Sequence, residues 1–127
     1  MEFFQEIHRP DLDITYLKNL LTIDNLTGLC ASISTVTPEN ENAGEIYCTW
    51  GGFIISREEI RHGVRFALLN CPHALAWTVT YNEDSEDIII HCTIDKREQD
   101  PEFVESIHDF VDDWTNGVAS ALQVTGC

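Results

Sequence analysis

The chain has 127 residues, 43% of them hydrophobic, which is enough for one domain with an ordinary core. Its 22 acidic and 7 basic residues give a net charge of −15. This charge argues against nucleic acid or an anionic membrane as partner, since both need a cationic surface, and it favours basic protein partners. No apolar run reaches the roughly 18 residues of a membrane span, and the first residues lack the basic flank of a signal peptide. We therefore predict a single cytoplasmic domain, residues 1–127.

The cysteines are predicted to be reduced thiols, because their number is odd and none shows C-x-x-C spacing. Cys71 with His73, and His91 with Cys92, are candidates for metal or thiolate chemistry. Zinc needs three or four convergent ligands, and neighbouring strand residues such as His91 and Cys92 point to opposite faces. We predict no metal, no cofactor and no catalytic residue.

The first half of the chain is predicted to contain one helix and two strands. In order, the segments are an N-terminal arm (1–10), a short helix that has Asp11 or Asp13 as its N-cap and ends at Thr22, a strand (29–37), a polar loop (38–44) and a second strand (45–55). Leu12, Tyr16 and Leu20 recur at helical spacing. At Gly51-Gly52 the inward-facing parity of the second strand changes, so either a bulge or a tight turn is expected there.

The middle of the chain carries a helix-start signal. Ser56-Arg57-Glu58-Glu59 fits a capping box, in which Ser56 and Glu59 satisfy each other's backbone N–H groups. Apolar residues at helical spacing then predict a helix over 57–70. Two alternating segments, 74–81 and 87–95, follow and are joined by a polar turn, which predicts an antiparallel hairpin.

The last helix is the strongest predicted element. Asp100 supplies an N-cap and Pro101 the first helical position, and a broad apolar stripe continues to Leu122 before a short tail, 123–127. The predicted fold is α+β, a four-stranded antiparallel sheet with helices mainly on one face, in the order α-β-β-α-β-β-α.

This order resembles the small acidic chaperones of type III secretion and the related YbjN-like proteins. The likeness covers residues 11–122 and includes Leu68-Leu69-Asn70, Ala76-Trp77, Ile90-His91-Cys92 and Asp100-Pro101-Glu102-Phe103. The family has three strands before its middle helix, which this chain reaches if Gly51-Gly52 divides the segment 45–55. The resemblance implies a homodimer that holds an extended segment of another protein without ATP.

Three arginines, Arg57, Arg61 and Arg65, fall at i, i+4 and i+8 of the predicted middle helix. They indicate either an anion-binding stripe near the helix N-terminus or ion pairs with the acidic last helix.

Three tryptophans, Trp50, Trp77 and Trp114, are predicted on inner faces, where they fill a core or line a ligand cavity. The alternative function is therefore a small-ligand-binding domain or an enzyme. Its pocket would lie between sheet and helices, around Trp50, Arg61, His73 and Trp77.

The favoured function is a non-catalytic protein-interaction module, chaperone-like and homodimeric. One sheet face is predicted to carry small residues and threonines that can meet a second copy or a partner with a basic or extended segment. The residues of this interface are Ala76, Thr78, Thr80, Ile89 and His91.

Overall fold

The structure, a computed structural model, describes residues 2–71, 74–95 and 100–125. Its main feature is a seven-stranded antiparallel sheet with the strand order β1-β7-β6-β5-β4-β3-β2. The elements are β1 (Glu2–His8), α1 (Ile14–Leu20), a 3₁₀ turn (Ile23–Asn25), α2 (Leu26–Leu29), β2 (Ile33–Asn40), β3 (Ala43–Cys48), β4 (Gly51–Ile60), β5 (Gly63–Leu68), β6 (Ala76–Asn82), β7 (Asp87–Thr93) and α3 (Pro101–Thr125).

The strands β2 to β7 follow one another as a meander, and β1 adds to the far side of β7 as an edge strand. Buried side chains alternate along β6 and β7, so one sheet face is covered by the core and the other, the open face, remains half-exposed. The predicted four-stranded sheet with the order α-β-β-α-β-β-α is wrong. The chain has more strands and no middle helix in its described part.

The predicted helix 57–70 is instead the β4–β5 hairpin, with Ile60 paired to Gly63. Val64, Phe66 and Leu68 are buried and Arg65 is exposed, a period of two that the apolar residues satisfy as well as a helical period. A Cβ at Gly63 would lie 2.0 Å from the Val79 carbonyl oxygen. Glycine thus permits a close approach to β6, which pairs with β5 from Gly63 to Ala67.

Two further segments differ from the sequence prediction, and at a third the structure decides between the two predicted alternatives. The arm 1–10 contains a full strand, β1. The polar loop 38–44 is mostly strand, since β2 runs to Asn40 and β3 starts at Ala43. The segment 45–55 is divided by a turn, not a bulge, because Cys48 pairs with Gly51 across two residues and Gly51 adopts a φ of +114°.

The starts of α1 and α3 agree with the sequence prediction, whereas the start predicted at Ser56 does not form because that residue lies in β4. The Asp13 side chain accepts a hydrogen bond from the Thr15 N–H at 2.9 Å, which caps α1. Likewise, the Asp100 side chain accepts from the Glu102 N–H at 2.9 Å, and α3 begins at Pro101. The β6–β7 hairpin also forms where the alternation predicted it.

The core lies between the sheet and α3. The buried α3 stripe comprises Ile107, Phe110, Val111, Trp114, Val118 and Leu122. At Gly117 a Cβ would lie 1.9 Å from the Leu29 carbonyl oxygen, so this glycine lets α3 cross α2 at close range. None of the helices in the described part of the chain is both long and apolar enough to cross a membrane.

Candidate functional site

The three arginines of the predicted stripe do not lie together. Arg57 faces the helices, where its Nε donates to the Leu21 carbonyl at 2.6 Å and its Nη2 to the Lys18 carbonyl at 3.0 Å. Arg61 lies in the β4–β5 turn, and Arg65 is exposed on the open face. The prediction of one helical stripe is wrong because the helix is a hairpin, and no ion pair between these arginines and described residues of α3 forms.

The three tryptophans belong to one aromatic cluster between α3 and the sheet. The ring centroids of Trp77 and Trp114 lie 5.7 Å apart, and Trp77 meets Phe110 edge-on at 5.0 Å. Trp50 is half-buried and its Nε1 donates to Ser106 Oγ at 2.8 Å. Of the residues proposed to surround a ligand, Trp50 and Trp77 therefore belong to the aromatic core. His73 lies outside the described residues.

The predicted interface residues are brought together on the open face. Thr78 is the register partner of His91, and Thr80 is the partner of Ile89. Ala76 lies on the same face but is buried.

Among the surface clefts that described residues line, two contain an arginine of the predicted stripe. One of about 700 Å³ touches the open face at the β4–β5 and β6–β7 turns, and its lining includes Arg61. The other, of about 510 Å³, lies on the helix side next to the β2–β3 hairpin, and its lining includes Arg57.

The two edge strands of the sheet differ. β2 carries Pro38, which has no N–H to donate, and its pairing with β3 has two register shifts. Proline and bulges are the devices by which natural edge strands avoid further pairing. β1 has neither, and its register with β7 is unbroken from Glu2 to His8. In the described part of the chain no strand pairs with the outer side of β1.

The backbone groups on the free side of β1 follow from one hydrogen bond. The Arg9 N–H donates to the Glu86 carbonyl at 2.8 Å, which continues the β1–β7 ladder. In an antiparallel ladder every second residue bonds to the same neighbour, so Phe3, Gln5 and Ile7 also face β7. The N–H and C=O groups of Phe4 and Glu6 therefore point outward.

Carboxylates lie beside this free edge on both faces. On the helix side, Gln5 Nε2 donates to Asp112 Oδ1 at 2.9 Å, and Phe3 meets the His108 ring at 4.9 Å. Glu105, Asp109 and Asp112 share the exposed stripe of α3, and Glu2 and Glu6 are exposed on β1. We call this surface the β1–α3 edge, formed by β1 with Glu105, Asp109 and Asp112.

Among the described residues, no lysine or arginine forms an ion pair with the carboxylates of the β1–α3 edge. Between described residues, the contacts below 4 Å involve histidine: His8 with Asp87 at 3.0 Å and His91 with Glu2 at 3.2 Å. Helix α3 itself has no lysine or arginine. The described carboxylates of the edge therefore contribute negative charge that salt screens only partly at short range.

Two of the described thiols, those of Cys30 and Cys92, are buried in the core. Burial raises the pKa of Cys30 and that of Cys92 to about 12, so neither forms a thiolate near neutral pH. Cys92 is buried on the core side, and His91 lies on the open face, as their alternation predicts. Among the described residues, no group of three or more histidine, cysteine, aspartate or glutamate side chains could hold a metal ion.

Comparison with known proteins shows the fold but no family. No protein-family model matches the chain, and no curated protein sequence matches it. A crystal structure of an uncharacterised protein from Bacillus thuringiensis is similar, with a TM-score of 0.63 and 13% identity. The match covers 95% of this chain and 96% of that one, so the two share an architecture over nearly their whole length.

Sequence reasoning missed β1, and with it the β1–α3 edge. A weak signal exists, since Phe3, Phe4 and Ile7 are aromatic or β-branched residues that strands favour. The acidic stripe of the last helix was visible in the sequence, but its neighbour was not.

Proposed function

We propose that this protein is a non-catalytic interaction module that binds a basic segment of a partner protein at the β1–α3 edge. The observation that carries the proposal is the row of exposed carboxylates on α3, beside a free strand edge, without a lysine or arginine partner among the described residues.

The physical reason is complementarity. Like charges crowded on one surface repel each other, and a basic segment relieves that repulsion when it binds. A field of one sign also accelerates the encounter with an oppositely charged partner. A binding role also fits the interior, since the buried aromatic side chains fill the core and burial raises the pKa of the Cys30 and Cys92 thiols to about 12.

We place this activity in the cytoplasm. The four described cysteines are free thiols, which is the usual state in a reducing compartment. Holding an extended segment of a partner is also what the resemblance to the secretion chaperones implies.

The test is the affinity for a labelled nine-residue peptide of alternating lysine and valine, followed by fluorescence anisotropy. We expect binding that weakens with added salt, because the attraction is between exposed charges. The double substitution Glu105→Lys with Asp109→Lys should weaken it by about tenfold or more, a loss of about 1.4 kcal/mol.

A matched control changes the net charge equally at the other side of the sheet. Glu39→Lys with Glu41→Lys alters the β2–β3 hairpin, and we expect it to change the affinity by less than about threefold. Equal weakening by both double variants would show that only the overall charge matters. Equal binding of a glutamate–valine peptide would contradict the proposal outright.

A further inference from the structure

We infer that the basic segment binds as an added strand along the free side of β1, which extends the sheet to eight strands. This inference rests on the proposed function, because it states how the segment occupies the same edge.

The first support is the geometry of the edge. The seven residues of β1 keep one register with β7 without a bulge, and the strand has no proline. The outward N–H and C=O groups of Phe4 and Glu6 have no strand partner in the described part of the chain. Main-chain hydrogen bonds to such groups are the basis of strand addition in peptide-binding domains. At the opposite edge, Pro38 and the register shifts of β2 disfavour it.

The second support decides which occupant fits. A second copy paired through β1 would bring Glu2, Glu6 and the α3 stripe of both chains together, and like charges across an interface are costly. A basic segment meets the same carboxylates with the opposite sign. The edge therefore favours a different protein over a second copy of this chain.

The side-chain alternation of a strand gives the segment a pattern. On the helix side its side chains would lie near Asp112, which calls for lysine or arginine at every second position. On the open face the strand presents Phe4, which is 59% exposed and stacks on His91 at 4.3 Å, between Glu2 and Glu6. We assign an apolar or aromatic residue of the segment to the position beside Phe4.

The experiment is amide hydrogen exchange on the full chain with saturating lysine–valine peptide. We expect the amides of Phe4 and Glu6 to exchange at least about tenfold more slowly when the peptide is bound. The amides of Phe3, Gln5 and Ile7 should be protected with or without it, which reports that β1 remains paired to β7.

Two reagents separate backbone pairing from charge. Glu6→Pro removes an outward N–H that does not bond to β7, whereas Glu6→Ala removes only the carboxylate. We expect Glu6→Pro to weaken peptide binding by about tenfold more than Glu6→Ala does. A peptide with N-methyl groups at alternate residues keeps its charge but loses backbone N–H donors. We expect the native chain to bind this peptide as weakly as the Glu6→Pro variant binds the unmethylated one.

Each other outcome is informative. The peptide could bind in a salt-sensitive way that the Glu105→Lys, Asp109→Lys variant abolishes, while the amides of Phe4 and Glu6 stay unprotected. That result overturns strand addition and leaves the proposed function standing. No binding of the peptide overturns both. Protection of these amides without peptide, increasing with protein concentration, makes a second copy the occupant and overturns the inference.

Discussion

The guanidinium of Arg57 shows how a single charged residue serves the fold. It donates to the carbonyl oxygens of Leu21 and Lys18 at the end of α1, where helix carbonyls lack intrahelical partners. A cation is also favoured at this end by the helix dipole. Arg57 therefore ties α1 to β4.

From the raised pKa values of two buried thiols, we predict a stability change at alkaline pH. Burial raises the pKa of Cys30 and Cys92 from 9.0 to about 12 in the folded protein. Their contribution is complete below about pH 9, where both states keep the proton, and is lost as pH rises towards about 12, because only the unfolded thiol ionises. We expect the free energy of unfolding to fall in that window, by at most about 1.4 kcal/mol per pH unit for each thiol.

Urea melts between about pH 8 and pH 10.5 measure this effect. Cys92→Ala lowers stability at every pH through lost packing, but it should flatten the alkaline slope relative to the native chain. The same slope in both proteins would contradict the assignment of the effect to Cys92.

Helix α3 is the element on which the core depends. It contacts three parts of the molecule. Phe110 and Trp114 pack against aromatic side chains of the sheet, and α3 crosses α2 at Gly117. Asp113 accepts a hydrogen bond from Ser32 Oγ at 2.5 Å. One face of the helix is thus fixed, which holds the opposite, acidic stripe next to β1.

Replacement of Trp114 tests this packing. The side chain is fully buried, with Phe66 at 5.6 Å and Trp77 at 5.7 Å between ring centroids. Trp114→Ala should cost about 3–5 kcal/mol in the free energy of unfolding, through lost transfer energy and a cavity. Denaturant melts measure it, with exposed Asn116→Ala as control; a cost below about 1 kcal/mol would mean that α3 does not pack in this way.

The elements differ in how far the sequence determines them locally. α3 was predictable because its cap, its proline and its wide apolar stripe all agree. The β4–β5 hairpin was not, because Ser56 and Glu59 favour a helix start while pairing with β3 and β6 decides the outcome. β1 was missed because its partner lies far along the chain, with Phe3 opposite Cys92, and an edge strand carries little periodic signal.

At the scale of the whole molecule, the charge of the candidate site is a sequence property and its location is a topological one. The surplus of acid and its concentration on the last helix are sequence properties. The β1–α3 edge is a property of topology, since it exists only when the first strand docks beside the last. The open face was predictable as a set of residues because hairpin alternation is local.

The open face carries the remaining prediction, a homodimer. Thr78 of β6 pairs with Arg65 of β5, which pairs in turn with Glu58 of β4. The open face therefore carries charges of both signs beside Thr78. We expect sedimentation at micromolar concentration to show twice the 14.4 kDa monomer mass. Thr78→Arg should split the dimer with the circular dichroism unchanged; a single monomeric species in the native chain would refute it.

The most direct test of binding at the β1–α3 edge is a two-dimensional NMR titration of the ¹⁵N-labelled chain with the lysine–valine peptide. The amide signals of residues 2–8 and of the α3 stripe, Glu105, Asp109 and Asp112, should shift together and saturate, while those of β2 and the β2–β3 turn stay in place. Shifts that centre on the β2–β3 hairpin, or that spread evenly over all acidic surfaces, would contradict a dedicated binding edge.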